Sequence, residues 1–401
     1  MKQLDINCLA TINFEINWNS ADAAHKEIYL ARKANLWRDI FPPGMKEAIL
    51  GLEAGRKLEI DYPPGQAVPK RSSRDIIKTS RKEFLKRSFK GRPILPRPGR
   101  FYPRSMLGPL HFFPQNMLPC RIISVDDQKI SADLAHPLAD YNLKISAVLE
   151  NFALNECETG GRLTHWMEEI LSTGPGMQAR LCSQPTSFIS PGAFDRNDKS
   201  DDTLFYKNPR FTDHIDAQAR QFLCRLYAEH LKPGMKILDL MASVNSHLPT
   251  DMEVHTTGLG LNKQEMEANP LLDSSLVHDL NQTPDIPFED SSFDAVLCSL
   301  SVEYLVNPCH LAREAARILR PAGLFMVSFS NRWFPPKVTK IWQELHEFER
   351  MGFVMDTMLK TGNFADFATV SIRNWWRPED DPHIDKTWIS DPVYLVKARK
   401  I

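Results

Sequence analysis

Apolar and polar residues alternate in several short runs of the first 150 residues. In residues 4–18 every second residue is apolar, a period of two that predicts a half-buried strand. A short helix is predicted to follow the turn Pro42-Pro43-Gly44. The connections are too short for crossover helices, so we predict an α+β domain with antiparallel pairing. Its further strands are predicted at residues 57–62, 120–125, 129–133 and 143–149.

The second half of the chain follows a different pattern, in which apolar strands alternate with longer helices. An amphipathic helix over residues 215–231 leads into the apolar strand 236–240, and a second helix is predicted at 308–319. This βαβ alternation predicts a doubly wound, Rossmann-like α/β domain whose ligand lies at the carboxyl ends of parallel strands. Its further strands are predicted at residues 253–259, 294–299 and 324–328.

The two patterns predict how the chain is divided. We expect an N-terminal domain over residues 1–150 and a C-terminal domain over residues 205–401. Between them, residues 151–204 contain clusters of Gly, Pro, Asn and Asp and one possible helix at 162–172. That segment is predicted to be a linker with local structure.

Composition places the chain among ordinary globular proteins, since 42% of its residues are hydrophobic and 25% are charged. It has no run of about 18 apolar residues and no unbroken apolar stretch near Met1, so we predict a cytoplasmic protein without membrane association. The seven cysteines form no C-x-x-C pair. They are therefore predicted to be reduced and structural, and no metal site is predicted.

The one strong charge asymmetry lies in residues 70–104, which hold thirteen Lys and Arg against two acids. Such a segment invites a nucleic-acid or acidic partner. However, it is rich in proline and lacks the helical spacing of an element that enters a nucleic-acid groove. A solvated, loop-rich face is the favoured interpretation, and nucleic-acid binding is not expected.

Two stretches of the N-terminal half carry a family resemblance. Residues 41–68 have the glycine pattern of a known helix and turn, and His136-Pro137-Leu138-Ala139 matches an H-P-L-A-G tract. In these stretches the chain resembles FKBP-type peptidyl-prolyl isomerases, particularly their SlyD-like branch. The resemblance implies an inserted flap at about residues 74–119 that binds extended, unfolded chain, and hence a protein or peptide partner for this domain.

The aromatic positions of that family differ here. Met45 stands where the family has the tryptophan that floors the isomerase pocket, and Val68 stands where it has a tyrosine. An apolar, aromatic-lined pocket desolvates the X-Pro amide during isomerisation. Two functions therefore stay open for the domain, namely proline isomerisation and peptide binding without catalysis.

Three ordered motifs carry a second resemblance. They are L-K-P-G-M-K-I-L-D-L at residues 231–240, I-P-F-E-D-S-S-F-D-A-V at 286–296, and R-I-L-R-P-A-G at 317–323. Their order and spacing resemble class I S-adenosylmethionine-dependent methyltransferases of the type 11 group. The resemblance implies a Rossmann-like fold, S-adenosylmethionine as cofactor and a small-molecule methyl acceptor.

The loop that binds the cofactor in this family is altered. The family has a G-x-G-x-G loop after the first strand, whereas this chain has no glycine in residues 241–247. Gly260 stands where relatives place an acid that binds the ribose hydroxyls. The chain also resembles uncharacterised methyltransferase-like proteins in this loop and in residues 205–216.

The resemblance implies a set of site residues. The cofactor-binding candidates are Asp239, Met241, Ser243, Asn245, Gly260, Asn262, Asp279 and Leu280, with Asn262 toward the ribose, Asp279 toward the adenine amine and Leu280 against that ring. The candidate catalytic residues are His214, His247 and Tyr304. Two functions stay open for the domain: a methyltransferase with a divergent loop, or an inactive fold kept as a scaffold or chaperone-like binding protein.

Overall fold

The computed structural model describes residues 3–85, 88–89, 92–108, 113, 115–155 and 161–401. The chain forms two compact units, one of Met1–Phe188 with His346–Gly352 and the other of Ile189–Leu345 with Phe353–Ile401. The predicted flap, the basic segment and the linker each include residues outside the described ranges. The six described cysteines are free, and Cys157 lies outside those ranges.

The first unit is built around a four-stranded antiparallel sheet. Its strands follow the order β2-β1-β10-β3, and alternate side chains of β1 are buried, as the period of two predicted. Met45 and Ile49 of the short first helix pack in the same core. The strands of this sheet and the two helices that accompany it are β1 (Cys8–Asn19), β2 (Ala23–Asn35), α1 (Met45–Ile49), β3 (Lys57–Tyr62), β10 (Leu143–Leu154) and α3 (Trp166–Leu171).

A second antiparallel sheet is inserted between β3 and β10. It has the strand order β4-β9-β8-β7 and a core of its own that includes Phe84, Leu107 and Ile122. It continues past the predicted flap boundary at residue 119 as far as Asp133. Its elements are β4 (Ile76–Ser80), α2 (Arg81–Leu85), the short pair β5 (Ser88–Phe89) and β6 (Arg92–Pro93), β7 (Phe101–Pro103), β8 (Pro119–Val125) and β9 (Lys129–Asp133).

Several basic residues of the segment 70–104 are structural, which corrects the prediction of a solvated face. Arg100 is only 4% exposed, and its Nε donates to Glu349 Oε1 over 2.7 Å. Arg71 forms ion pairs with Asp133 and Asp140. The sequence prediction failed because these carboxylates are distant in sequence and become neighbours only in the folded unit.

The second unit is a doubly wound α/β domain. Its sheet has the order β13-β12-β11-β14-β15-β17-β16, parallel from β13 to β15, with β17 antiparallel to both of its neighbours. The strands are β11 (Lys236–Leu240), β12 (His255–Gly260), β13 (Ser274–Val277), β14 (Phe293–Ser299), β15 (Leu319–Phe329), β16 (Phe364–Arg373) and β17 (Val393–Lys400). The helices are α4 (Asp202–Phe205), α5 (Ala217–Ala228), α6 (Lys263–Glu267), α7 (Pro308–Ile318) and α8 (Lys340–Glu344). A further helix, α9 (Glu347–Leu359), begins in the segment His346–Gly352 of the first unit and continues in the second unit from Phe353.

The central strands of this unit are buried on both faces, as expected of a parallel sheet covered by helices. Helix α5 begins directly after Asp216, whose carboxylate accepts a hydrogen bond from the Ala219 backbone N–H over 3.0 Å. Within the described part of the chain, no helix combines the length and apolarity that a membrane crossing requires.

Candidate functional site

A cavity of about 750 Å³ opens at the carboxyl ends of the parallel strands in the second unit. This is the edge at which doubly wound sheets bind their ligands. The loops that follow β11, β12, β13, β14 and β15 all contribute to its wall. The structure brings all eleven predicted site residues together around this one cavity: His214, Asp239, Met241, Ser243, Asn245, His247, Gly260, Asn262, Asp279, Leu280 and Tyr304.

The loop after β11 keeps a backbone conformation that glycine usually provides. Met241 has φ 58° and His247 has φ 56°, both in the left-handed region. Left-handed backbone costs a residue with a Cβ about 1–2 kcal/mol. Asn269 holds the loop by donating from its side-chain amide to Ser243 O and Ser246 Oγ, each over 2.9 Å. The loss of glycine has therefore strained the loop without closing the cavity.

Asp239 is the last residue but one of β11 and is only 2% exposed. Burial raises the pKa of its carboxyl to about 7, and a hydrogen bond with Ser246 offsets only part of that effect. No Lys or Arg of the described residues pairs with it. Near neutral pH, Asp239 therefore exists partly in its protonated form.

Replacing Asp239 by asparagine is expected to remove a pH dependence of stability. The unfolded carboxyl titrates near pH 4, so between about pH 4 and 7 only the folded protein holds this proton. Its stabilising effect is complete below about pH 4 and is lost as the pH rises through about 7. Between acidic and neutral pH, the wild type should lose up to about 4 kcal/mol of unfolding free energy that the variant does not lose.

This expectation is measured by urea unfolding of both proteins at several pH values from about 5 to 8. The exposed Asp251→Asn change serves as the matched control. Burial lowers the pKa of His247 to about 4, which has the opposite effect on stability, but that effect is common to both proteins and cancels in the comparison. A stability difference that stays constant with pH would contradict the assignment.

Position 260, at the carboxyl end of β12, has no room for the acidic side chain that relatives have there. A Cβ at Gly260 would run into the carbonyl oxygen of Ala242. Asn262, two residues on, caps helix α6 by accepting hydrogen bonds from Gln264 N and Glu265 N over 3.0 and 3.1 Å. Its amide nitrogen donates to Tyr206 O over 2.8 Å. A ribose contact by Asn262 would compete with these bonds, and the predicted contact stays a prediction.

Glu265 is a cavity residue that the sequence reasoning missed. Its side chain is buried, Oε2 accepts from Ser243 Oγ over 2.6 Å, and Oε1 accepts from Arg210 N over 2.7 Å. Its position was a usable signal, because an acid at the third residue after a helix cap points back over the helix start. Each carboxylate oxygen has two lone pairs, so both oxygens can accept further hydrogen bonds.

Asp279 lies after β13, and only one of its two carboxylate oxygens accepts a hydrogen bond within the described residues. Its Oδ1 accepts from Asn281 N over 2.8 Å, whereas the buried Oδ2 has no hydrogen-bond partner. The neighbouring Leu280 is 6% exposed and also lines the cavity. A buried acceptor without a donor is costly, so this oxygen is suited to a ligand that donates a hydrogen bond.

Most other acids of the cavity wall are neutralised by cations. Asp202 pairs with Arg196 over 2.7 Å, and Asp213 pairs with Arg220 over 2.8 Å. Asp216 and Asp381 both pair with Arg377, over 3.5 and 3.0 Å. Leaving aside the exposed Asp380, the lining acids of the described chain without a Lys or Arg partner are Asp239, Glu265 and Asp279. Of these, Glu265 lies on the helix that follows β12, and Asp279 lies on the loop that follows β13.

The three candidate catalytic residues are in forms that can take up or retain a proton. Burial lowers the pKa of both His214 and His247, so both imidazoles are neutral at physiological pH. His247 Nδ1 is buried and has no hydrogen-bond partner. Burial raises the pKa of Tyr304 well above its ordinary value, and its hydroxyl accepts from Phe334 N over 2.9 Å. Either histidine could therefore accept a proton, while Tyr304 stays a donor.

The sheet order and the cavity at its carboxyl edge define a Rossmann-like α/β domain. Residues 240–327, within the second unit, match a family model described as "Methyltransferase domain". This match does not reach the first unit, so the FKBP-like interpretation of that unit stays a prediction.

Several curated proteins are similar to part of the chain. The ubiquinone/menaquinone biosynthesis C-methyltransferase UbiE of Bartonella quintana is 28% identical over 149 residues, which are 36% of this chain and 55% of the relative. The demethylmenaquinone methyltransferase of Paenarthrobacter aurescens is 27% identical over 174 residues, 41% of this chain and 64% of the relative. The chain thus spans somewhat more than half the length of these relatives.

Solved structures give weaker matches. One is a methyltransferase from the complex with the Haloferax volcanii Trm112 methyltransferase activator, with 19% identity and a TM-score of 0.34 over 45% of this chain and 90% of that chain. Another is the YcgJ protein of Bacillus subtilis, with 15% identity and a TM-score of 0.30 over 45% of this chain and 98% of that chain.

Proposed function

We propose that the second unit transfers a methyl group from S-adenosylmethionine to a small-molecule acceptor. The observation that carries the proposal is the buried, unpartnered Oδ2 of Asp279 in a cavity of about 750 Å³ at the carboxyl edge of the sheet. Cavities of about 300–1,000 Å³ hold ligands of cofactor size. The match of residues 240–327 to a methyltransferase domain supports the same function.

The residues present fit this cofactor. Asp279 would accept a hydrogen bond from the adenine amine through its free oxygen, and Leu280 would pack on the ring. Glu265 would accept from the ribose hydroxyls, in place of the acid that Ala242 excludes from position 260. The cofactor supplies an electrophilic methyl group when it is bound.

The chain's own part in the reaction is to position the acceptor and to receive its proton. His247 and His214 are neutral and line the cavity, so either can take a proton from an acceptor oxygen or nitrogen. Methyl transfer otherwise needs mainly an in-line arrangement, which rigid cavity walls provide. The buried ion pairs around Asp202 and Arg377 would keep those walls fixed.

The proposal is tested by calorimetric titration of S-adenosylmethionine and S-adenosylhomocysteine into the full chain. We expect saturable binding near micromolar affinity, about 8 kcal/mol. Asp279→Asn should weaken it about tenfold or more, since a hydrogen bond to a charged acceptor is replaced by a weaker one. The exposed Asp285→Asn change is the control. Absence of binding to the folded wild-type chain would leave the alternative of an inactive scaffold.

For the first unit we propose polypeptide binding without proline isomerisation. Support comes from Phe113 and Met117, which are 79% and 70% exposed between β7 and β8 and are therefore available to an apolar partner. Met45 is fully buried in the core of this unit, at the position where the resembled family has its aromatic floor.

A double change of Phe113 and Met117 to serine is expected to weaken the binding of an unfolded, carboxymethylated polypeptide by about tenfold or more, because two apolar side chains are lost. Fluorescence anisotropy measures this binding. Leu204→Ser, at a 67% exposed position of the second unit, is the control. Equal binding by all three proteins would contradict the proposal, and so would catalysed isomerisation of a proline peptide by the wild type.

A further inference from the structure

Arg210 lies on the cavity wall within a cage of three aromatic rings. Its guanidinium carbon is 4.7 Å from the ring centre of Phe205, 4.9 Å from that of Phe334 and 5.5 Å from that of Tyr206. The Nη2 group donates to the carbonyl oxygen of Phe205 over 3.3 Å. These cation–π contacts hold the charged group in place, and its N–H groups remain the donors for an anion.

The charge of Arg210 is not neutralised, in contrast to the other arginines that line the cavity. Arg220 pairs with Asp213 over 2.8 Å, and Arg332 pairs with Asp391 over 3.1 Å. In the described part of the chain no carboxylate lies within ion-pair distance of the Arg210 guanidinium. A guanidinium has five N–H donors, and within the described residues the side chain of Arg210 donates one hydrogen bond, from Nη2.

The caged guanidinium lies near the candidate catalytic residues. The ring of Phe334 that it contacts is 5.5 Å from the imidazole of His214 and 6.0 Å from the ring of Tyr304, measured between ring centres. The backbone N–H of Arg210 donates to Glu265 Oε1 over 2.7 Å, so the side chain begins beside the residue proposed to hold the ribose and reaches Phe334. An anion bound by the guanidinium would therefore lie near the groups proposed to receive the proton of the acceptor.

We propose that Arg210 binds an anionic group, a carboxylate or a phosphate, of the methyl acceptor. A guanidinium carries its N–H donors in a planar fork, the geometry that binds either anion in a bidentate manner. This inference rests on the proposed methyl transfer, and it narrows the acceptor to an acid.

The test uses the full chain with saturating S-adenosylhomocysteine and three probes of similar shape: benzoate, phenyl phosphate and the neutral benzamide. Ligand-observed NMR titrations measure their affinities. At least one anion should bind about tenfold or more tightly than benzamide, and Arg210→Met should remove that preference. Arg210→Lys, which keeps the charge but not the bidentate fork, should retain part of it. Which anion binds more tightly identifies the acidic group.

The matched control is Arg225→Met, because Arg225 also lies over an aromatic ring, that of Phe222 at 5.7 Å, but does not line the cavity. It should leave the anion preference unchanged. Equal binding of the three probes, or a preference that survives Arg210→Met in a protein with native circular dichroism, overturns the proposal. If Arg210→Met does not fold, the comparison is made with Arg210→Lys.

A second arm separates the acceptor from the cofactor, whose methionine part also has a carboxylate. S-adenosylhomocysteine is compared with 5′-methylthioadenosine, which lacks that carboxylate. One result to look for is that Arg210→Met weakens the binding of S-adenosylhomocysteine by about tenfold and leaves that of 5′-methylthioadenosine unchanged. In that case Arg210 binds the carboxylate of the cofactor, and the assignment to the acceptor is overturned. The probe titrations are also repeated without S-adenosylhomocysteine. If the wild type binds no cofactor, the proposed function is refuted, and these titrations still test the anion site.

Discussion

Replacing Glu265 by glutamine is expected to weaken the binding of S-adenosylhomocysteine by about 10- to 100-fold, because hydrogen bonds to a charged acceptor contribute about 1.5–3 kcal/mol. The carboxylate is buried and lines the cavity together with Gly260, where a Cβ would run into the carbonyl oxygen of Ala242. Calorimetric titration of the full chain measures the change. The effect should be larger than that of any other single carboxylate of the cavity, since one group would accept from two ribose hydroxyls.

An analogue of S-adenosylhomocysteine without its ribose 3′-hydroxyl separates direct contact from a structural role. The wild type should bind this analogue more weakly than the parent compound, and Glu265→Gln should lose much of that discrimination. Glu267→Gln is the matched control, because Glu267 lies on the same helix with its side chain 57% exposed and pairs with Lys263. If Glu265→Gln weakens both ligands equally, Glu265 acts only by holding Ser243 and the backbone of Arg210.

Replacing Glu349 by alanine is expected to lower the unfolding free energy of the first unit by about 3–5 kcal/mol, the cost of removing one partner from a buried ion pair. Its carboxylate accepts from Arg100 Nε over 2.7 Å and from the Phe101 backbone N–H over 2.9 Å. Both charged side chains are about 95% or more buried. The change therefore leaves a buried guanidinium without its counter-charge and a backbone donor without its acceptor.

Hydrogen exchange of the β7 and β8 amides, together with denaturant unfolding of the full chain, measures this loss. Glu347→Ala, at a neighbouring and more exposed position, should change stability by less than about 1 kcal/mol. The double change Arg100→Met with Glu349→Leu should recover most of the loss, since apolar residues of similar size often replace a buried pair without penalty. Unchanged exchange in Glu349→Ala would show that the pair is not formed in solution.

Local sequence patterns predicted the elements that bury one face or both. The alternation in β1 and the apolar run in β11 appear in the structure as alternating and continuous burial. Strand β13 was missed because all four of its residues are exposed, and its two apolar residues, Leu276 and Val277, are adjacent and show no alternation. Strands β16 and β17 were not predicted either, although their burial shows that they belong to the sheet core.

What the sequence by itself determined is the class of each domain's sheet and the set of loops that meet at one cavity. Motif positions at the ends of successive parallel strands are enough for this, because those ends lie along one edge. What only the tertiary structure decided is the charge state of that cavity and of the basic segment. Arg100 and Glu349 are 249 residues apart in sequence, and Glu265 is distinguished from Asp202 only by the absence of nearby cations. Neutralisation depends on distances between side chains, and no local pattern along the chain encodes those distances.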